Sequence, residues 1–251
     1  MNYDELKSRW KNEEKMSFKG WDFSHLENRW ECEELPWSYR DIILKYLEPN
    51  HKLLDIGTGS GEFLLSLNHP YKNTSVTEMW EPNVKFCREK LSPLGIDVNQ
   101  TFDDEKLPFG DNTFDIIINR QASYNIKEIK RILKPNGMLI TQQVGSLNNE
   151  RLSKLLGMKN NNHKVKNLEK ILIDADNNHL DVIYSDEYFP YFRFKDIGAF
   201  VYYAKIIVWE FQGFSVDKCF DILCDMNKEL NKKGYIESLA HRYILVCKNN
   251  K

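Results

Sequence analysis

The sequence predicts an α/β protein, a doubly wound and mostly parallel sheet with helices on both faces. Three observations carry this prediction. From about residue 50 to about residue 145, β-prone runs alternate with helix-forming stretches, and the connections are short. That pattern implies right-handed crossovers and parallel neighbours. A turn with three glycines in five positions, Gly57-Thr58-Gly59-Ser60-Gly61, stands between the first such strand and the helix behind it. Candidate ligand-binding side chains then recur at strand carboxyl ends, which is where open α/β sheets bind ligands.

Before the first strand, Asp4 to Lys15 is charged and reads as a solvated helix. Trp21-Asp22-Phe23 and Leu35-Pro36-Trp37-Ser38-Tyr39 carry a dense aromatic load. Trp37 and Tyr39 precede Asp41–Leu47, whose apolar positions suit a helix packed on a sheet. Aromatic residues in such a place are most often core or staple residues.

The first strand is the apolar run that ends in Asp55. The glycines that follow let the backbone approach a ligand or take positive φ. Dinucleotide enzymes place a third glycine at the helix start, where pyrophosphate sits on the N-terminus. Here that position is Glu62, and its carboxylate would repel a pyrophosphate. The turn instead suits a ligand with a positive charge and no phosphate.

Ser75-Val76-Thr77 forms the next β-prone run and ends at Glu78. An acid about 20 residues beyond the glycine turn is placed to hold ribose hydroxyls. Asp103-Asp104-Glu105-Lys106-Leu107-Pro108-Phe109 comes next, then Asp111-Asn112-Thr113-Phe114-Asp115 and a strand at Ile116–Ile118. Asn119 and Arg120 fall at the end of that strand. Glu128 to Gly137 reads as a helix and a turn, leading into the strand Met138–Thr141, with Gln142 and Gln143 near its end. Adjacent strand residues point opposite ways, so one of these two glutamines is expected to face a pocket.

These four segments, in this order, resemble the class I S-adenosylmethionine-dependent methyltransferases. The resemblance implies a Rossmann-like sheet of seven strands with an antiparallel last strand, and S-adenosylmethionine as cofactor. It assigns cofactor binding to Asp55, Gly57, Thr58, Gly59, Gly61, Glu78, Met79, Asp103, Asp104, Asn119 and Arg120. Met79 is expected against the adenine, and Asp103 or Asp104 at its edge. Asp103 and Asp104 read equally well as plain loop acids. Glu62 is expected near the donor's amino-acid end. N-terminal helices in this family commonly close over the cofactor, which makes Trp37 and Tyr39 candidates to line the substrate site, with Gln142 and Tyr202.

The remaining chain is more variable. Asn167–Asp176 predicts a helix, Asp196 an N-cap, Phe214–Asn231 a second helix, and Ser238–Cys247 one strong final strand. The expected division is an N-terminal helical segment at 1–50, a methyltransferase domain at 51–192 and 233–251, and a helical insertion at 193–232 that caps the substrate.

Composition narrows the function. The chain has 251 residues, a net charge of −2 and 41% hydrophobic content, enough for a substantial core. No run approaches the roughly 18 apolar residues of a membrane span. The five cysteines are scattered and form no C-x-x-C, which disfavours a zinc site or a disulfide framework. The expected setting is a reduced cytoplasm, with no metal and no membrane. The densest basic stretch, Lys159 to Lys166, is mostly Asn and reads as a connector, so nucleic acid is disfavoured as a partner. The tetrapeptide that serves nucleobase amines is replaced by Asn119-Arg120-Gln121-Ala122, and no general base stands out. The expected acceptor is therefore a small molecule. A methyltransferase acting on RNA or protein, and a binding module without catalysis, stay open.

Overall fold

The computed structural model describes residues 2–18, 22–158 and 167–250. Trp21 and the stretch from Lys159 to Lys166 lie outside the described residues. Among the described residues there are ten strands: β1 (Trp30–Cys32), β2 (Leu53–Ile56), β3 (Thr74–Glu78), β4 (Asp97–Gln100), β5 (Phe114–Arg120), β6 (Leu133–Val144), β7 (Leu180–Tyr188), β8 (Tyr191–Phe194), β9 (Ile236–Leu239) and β10 (Arg242–Asn249). They form two sheets. One has seven strands in the order β4-β3-β2-β5-β6-β10-β7, and the other has three in the order β1-β8-β9.

The chain divides into two compact units. The sheet unit comprises Pro36–Val144, Asn167–Glu187 and Tyr243–Lys251. Its β2 pairs in parallel with β3 and with β5, β3 with β4, and β5 with β6. The seven-stranded sheet is mostly parallel with one antiparallel strand, as expected. Ile116, Ile117 and Ile118 are fully buried in succession, so β5 is covered on both faces. Each such side chain stabilises the fold by about 1.5–3 kcal/mol. The helix Tyr39–Tyr46 begins at Ser38, whose hydroxyl accepts the Asp41 N–H at 3.2 Å, and it buries Tyr39 and Ile43. Asn125 caps the helix Ile126–Ile132 in the same way.

The second unit comprises Met1–Leu35, Gly145–Lys166 and Tyr188–Arg242. It holds the three-stranded sheet and the helices Tyr3–Lys15, Ile197–Ile206 and Val216–Lys233. Asp196 does cap its helix, accepting the Ala199 N–H at 2.8 Å. The same carboxylate takes a bidentate pair from Arg29, which also reaches Glu13 at 2.7 Å. The core is aromatic: Phe194, Phe200, Phe211 and Tyr203 meet edge-on or tilted, with ring centroids 5.3–6.2 Å apart. Buried Glu210 accepts from Asn148 and Asn149, and burial raises its carboxyl pKa.

One expectation needs revision. The final strand predicted at Ser238–Cys247 is broken into β9 and β10, which belong to different sheets. At the break the Ala240 N–H goes to the Pro190 carbonyl and the His241 N–H to Asn148 Oδ1, outside any ladder. Residues 1–35 and 36–50 belong to different units, and the unit that contains 193–232 has a sheet of its own and draws on three segments.

Candidate functional site

The parallel register of the sheet unit brings the carboxyl ends of β2, β3, β5 and β6 to one side. Ile56 lies opposite Thr77 and Asn119, Asn119 opposite Thr141, and Arg120 opposite Gln142. The glycine turn leaves β2 at this end. Gly57, Gly59 and Gly61 all have positive φ, +71°, +63° and +73°. The Gly57 and Thr58 N–H groups both donate to the Thr77 carbonyl, which folds the turn toward β3. A side chain at Gly57 would collide with the Ala122 methyl, whereas the space a Cβ would fill at Gly59 is open. Gly59 is therefore where backbone can meet a ligand.

Glu78 ends β3 and faces the turn. Its Oε2 accepts the Gly59 N–H at 2.9 Å, and its Oε1 accepts the Met79 and Trp80 N–H groups at 3.0 and 3.2 Å. Asp55 is buried, and desolvation pushes its carboxyl up to about 6 despite the Thr58 side chain and the Arg120 guanidinium, while Glu78 adds to the rise. Glu62 opens the helix Glu62–Ser66 and lies 3.6 Å from Lys90.

Beyond β3, Met79 and Trp80 are exposed. Phe102, which the sequence reading passed over, is 81% exposed, a large unburied ring directly before Asp103. Its only sequence signal was position: a single aromatic next to the acidic loop. Asp103 accepts the Glu105 N–H at 2.9 Å and the Lys106 N–H at 3.3 Å, so its carboxylate shapes a turn. Asp104 is half-buried.

Asn119 is fully buried and its amide is engaged on both sides. It donates to the Ile56 carbonyl at 3.1 Å and accepts from Thr141 and Gln143. Its side chain ties β2, β5 and β6 together. Tyr39 lies beneath the same strand ends, its hydroxyl 3.1 Å from the Asn119 N–H and from the carbonyls of Asn119 and Ile140. Trp37 donates its indole N–H to Gln142 at 2.8 Å, and both residues are buried. Gln143, the alternative to Gln142, is held by Asn119, Thr141 and the Ala122 carbonyl. Tyr202 lies in the second unit, only 2% exposed, with its ring against His25 and Phe18. There it is a core residue. No group of His, Cys, Asp and Glu among the described residues could hold a metal.

Residues 54–141, the segment that carries these features, match the family described as "Methyltransferase domain". This match is consistent with the class I S-adenosylmethionine-dependent methyltransferases that the sequence resembles. The ubiquinone/menaquinone biosynthesis C-methyltransferase of Pseudomonas fluorescens is 28% identical to this chain over 131 residues, 47% of this chain and 51% of that protein. The protein of the same description from Pasteurella multocida is 28% identical over 132 residues, 47% of this chain and 49% of that protein. The match thus spans about half the length of these relatives. Among solved structures, the YcgJ protein of Bacillus subtilis superposes with a TM-score of 0.58 at 17% identity, over 85% of this chain and 98% of that one. A SAM-dependent methyltransferase of Aquifex aeolicus gives 0.52 at 16% identity, over 96% and 97%. Geranyl diphosphate methyltransferase, solved with GPP and sinefungin, gives 0.52 at 14% identity, over 84% and 76%. At such identities these likenesses concern the fold. No described helix is long and apolar enough to cross a membrane.

Proposed function

We propose that the chain is an S-adenosylmethionine-dependent methyltransferase acting on a small-molecule acceptor. The observation that carries this reading is the link between Gly59 and Glu78: a glycine turn with open space above it, joined to a carboxylate at the end of the next strand. The residues fit the cofactor. Glu78 would hold the ribose hydroxyls, and the Gly59 backbone would lie against the amino-acid portion. Asp55 and Glu62 supply negative charge for an ammonium. Exposed Met79, with Phe102 nearby in sequence, offers an apolar face to an adenine, and Asp104 has a side chain free to meet its edge. Asp103 is better read as a turn residue.

Bound S-adenosylmethionine would supply a methyl group already activated by its positive sulfur. The protein's work is then to orient two reactants and exclude water. Tyr39, Trp37 and Gln142 do this indirectly. Their hydrogen bonds fix the strand ends and so the floor on which the turn and Glu78 sit.

The matches to C-methyltransferases of ubiquinone and menaquinone biosynthesis support a small-molecule acceptor over RNA or protein. The net charge of −2 agrees, since nucleic-acid binders carry a basic footprint. The test is calorimetric titration with S-adenosylmethionine, S-adenosylhomocysteine and NAD. Binding of the first two without NAD is expected. Binding of NAD alone, or of none, would overturn the proposal.

A further inference from the structure

Arg120 is the last residue of β5 and is exposed at the carboxyl end of the sheet. Its guanidinium carbon lies 4.4 Å from the centroid of the Phe63 ring. Phe63 in turn stacks with Tyr39, centroids 5.2 Å apart and planes 25° from parallel. Tyr39 is fixed through its hydroxyl to the backbone of Asn119 and Ile140. The chain also turns sharply behind the arginine: Gln121 has φ +62°, and its N–H donates to the Gln142 carbonyl at 2.9 Å. Arg120 is thus held from the core outward through two rings and a hydrogen bond.

Its charge, by contrast, is not spent. No carboxylate among the described residues forms an ion pair with Arg120. The other charges near the turn have partners: Lys90 lies by Glu62, and both Glu78 oxygens take backbone N–H groups. Asp55 feels the guanidinium electrostatically but is buried in β2. A guanidinium held over an aromatic ring meets the ring's π face and still carries N–H donors for another partner. Those donors match an oxyanion edge-on, in pairs. Because the side chain is already positioned, little conformational freedom remains to be lost on binding.

We propose that Arg120 is the oxyanion receptor of this site, gripping a carboxylate-like group through its planar fork. This rests on reading the glycine turn and Glu78 as the donor site. The same chemistry can come from the carboxylate at the donor's amino-acid end or from an anionic group on the acceptor.

The full chain and its Arg120→Gln and Arg120→Lys variants would be titrated with S-adenosylhomocysteine, with its decarboxylated analogue, and with benzoate in the presence and absence of S-adenosylhomocysteine. The position is exposed, so unchanged melting temperatures are expected and serve as the folding control. If the donor's carboxylate is the ligand, Arg120→Gln weakens S-adenosylhomocysteine by about tenfold or more and leaves the decarboxylated analogue unaffected. If the acceptor's anion is the ligand, S-adenosylhomocysteine binds both proteins equally, and benzoate binds the wild type but not Arg120→Gln. In either case Arg120→Lys, which keeps charge but loses the fork, falls between. Equal affinity of wild type and Arg120→Gln for every probe overturns the proposal. Failure of the wild type to bind S-adenosylhomocysteine would instead overturn the donor-site reading, and benzoate with the free protein would still decide the role of Arg120.

Discussion

Glu78 accepts the backbone N–H of Gly59 through Oε2 at 2.9 Å. A carboxylate at the end of one strand is thereby coupled to the turn that leaves its neighbour. With Oε1 engaged by Met79 and Trp80, Oε2 carries the remaining acceptor capacity. A hydroxyl arriving there must share Oε2 with Gly59 or displace it, so ligand binding and the shape of the turn are linked.

Replacing Glu78 should therefore act on both. Glu78→Ala removes the acceptor for three backbone N–H groups and the proposed ribose contact. S-adenosylhomocysteine affinity should fall by about 1–3 kcal/mol. Glu78→Gln, which keeps one acceptor oxygen, should lose less. Calorimetry checks this, and wild-type affinity in Glu78→Ala would place the ribose elsewhere.

The turn glycines should separate by effect. Gly57→Ala drives a methyl into Ala122 at a positive φ, so it should lower the melting temperature strongly. Gly59→Ala has open space and pays only the left-handed conformation, about 1–2 kcal/mol. It should stay folded yet bind the donor poorly. Thermal melts alongside titrations distinguish the two, and a folded Gly59→Ala with full affinity would contradict the role given to that backbone.

Asp55 predicts a pH dependence. Its carboxyl is raised from 3.8 to about 6 by burial. The unfolded chain holds its proton less tightly, so this group favours folding most below pH 3.8. That contribution declines as pH rises and is lost above about 6. The loss amounts to about 3 kcal/mol, taking 1.36 kcal/mol per pH unit. Asp55→Asn should flatten stability over that window, as measured by denaturant titration between pH 4 and 7. A bound ammonium would pull the carboxyl down again, so donor affinity in the wild type should rise with pH through about 6.

Trp37→Phe should cost about 1–3 kcal/mol, because it leaves the buried Gln142 oxygen without a donor. Adding Gln142→Leu removes the orphan and should recover part of the loss. A double-mutant cycle by thermal unfolding measures the coupling, and simple additivity would show that the hydrogen bond contributes little.

The parts of this molecule that could be read from the sequence are local. The glycine turn, Glu78 after the next strand, and the cap at Asp196 each lie within a few residues of what they organise. What escaped depends on distant partners. Asn119 looked like a ligand-facing strand end because its side-chain partners, Ile56, Thr141 and Gln143, are remote in the sequence. Tyr202 looked like a pocket aromatic, but its neighbours His25 and Phe18 come from the N-terminal segment. The break at Ala240–His241 lies inside an unbroken β-prone run, and Pro190 and Asn148, which take its backbone N–H groups, are far upstream.

The position of β10 between β6 and β7 has a consequence for synthesis. A ribosome delivers β7 long before the strand that will lie between it and β6. Until then β7, whose only neighbour in the sheet is β10, has no strand to pair with, and an unpaired strand edge recruits a strand from another chain. Asp181, Asp186 and Glu187 on β7 give that waiting edge a negative charge. Two nascent chains presenting it to each other would repel, which protects the sheet until its last strand arrives.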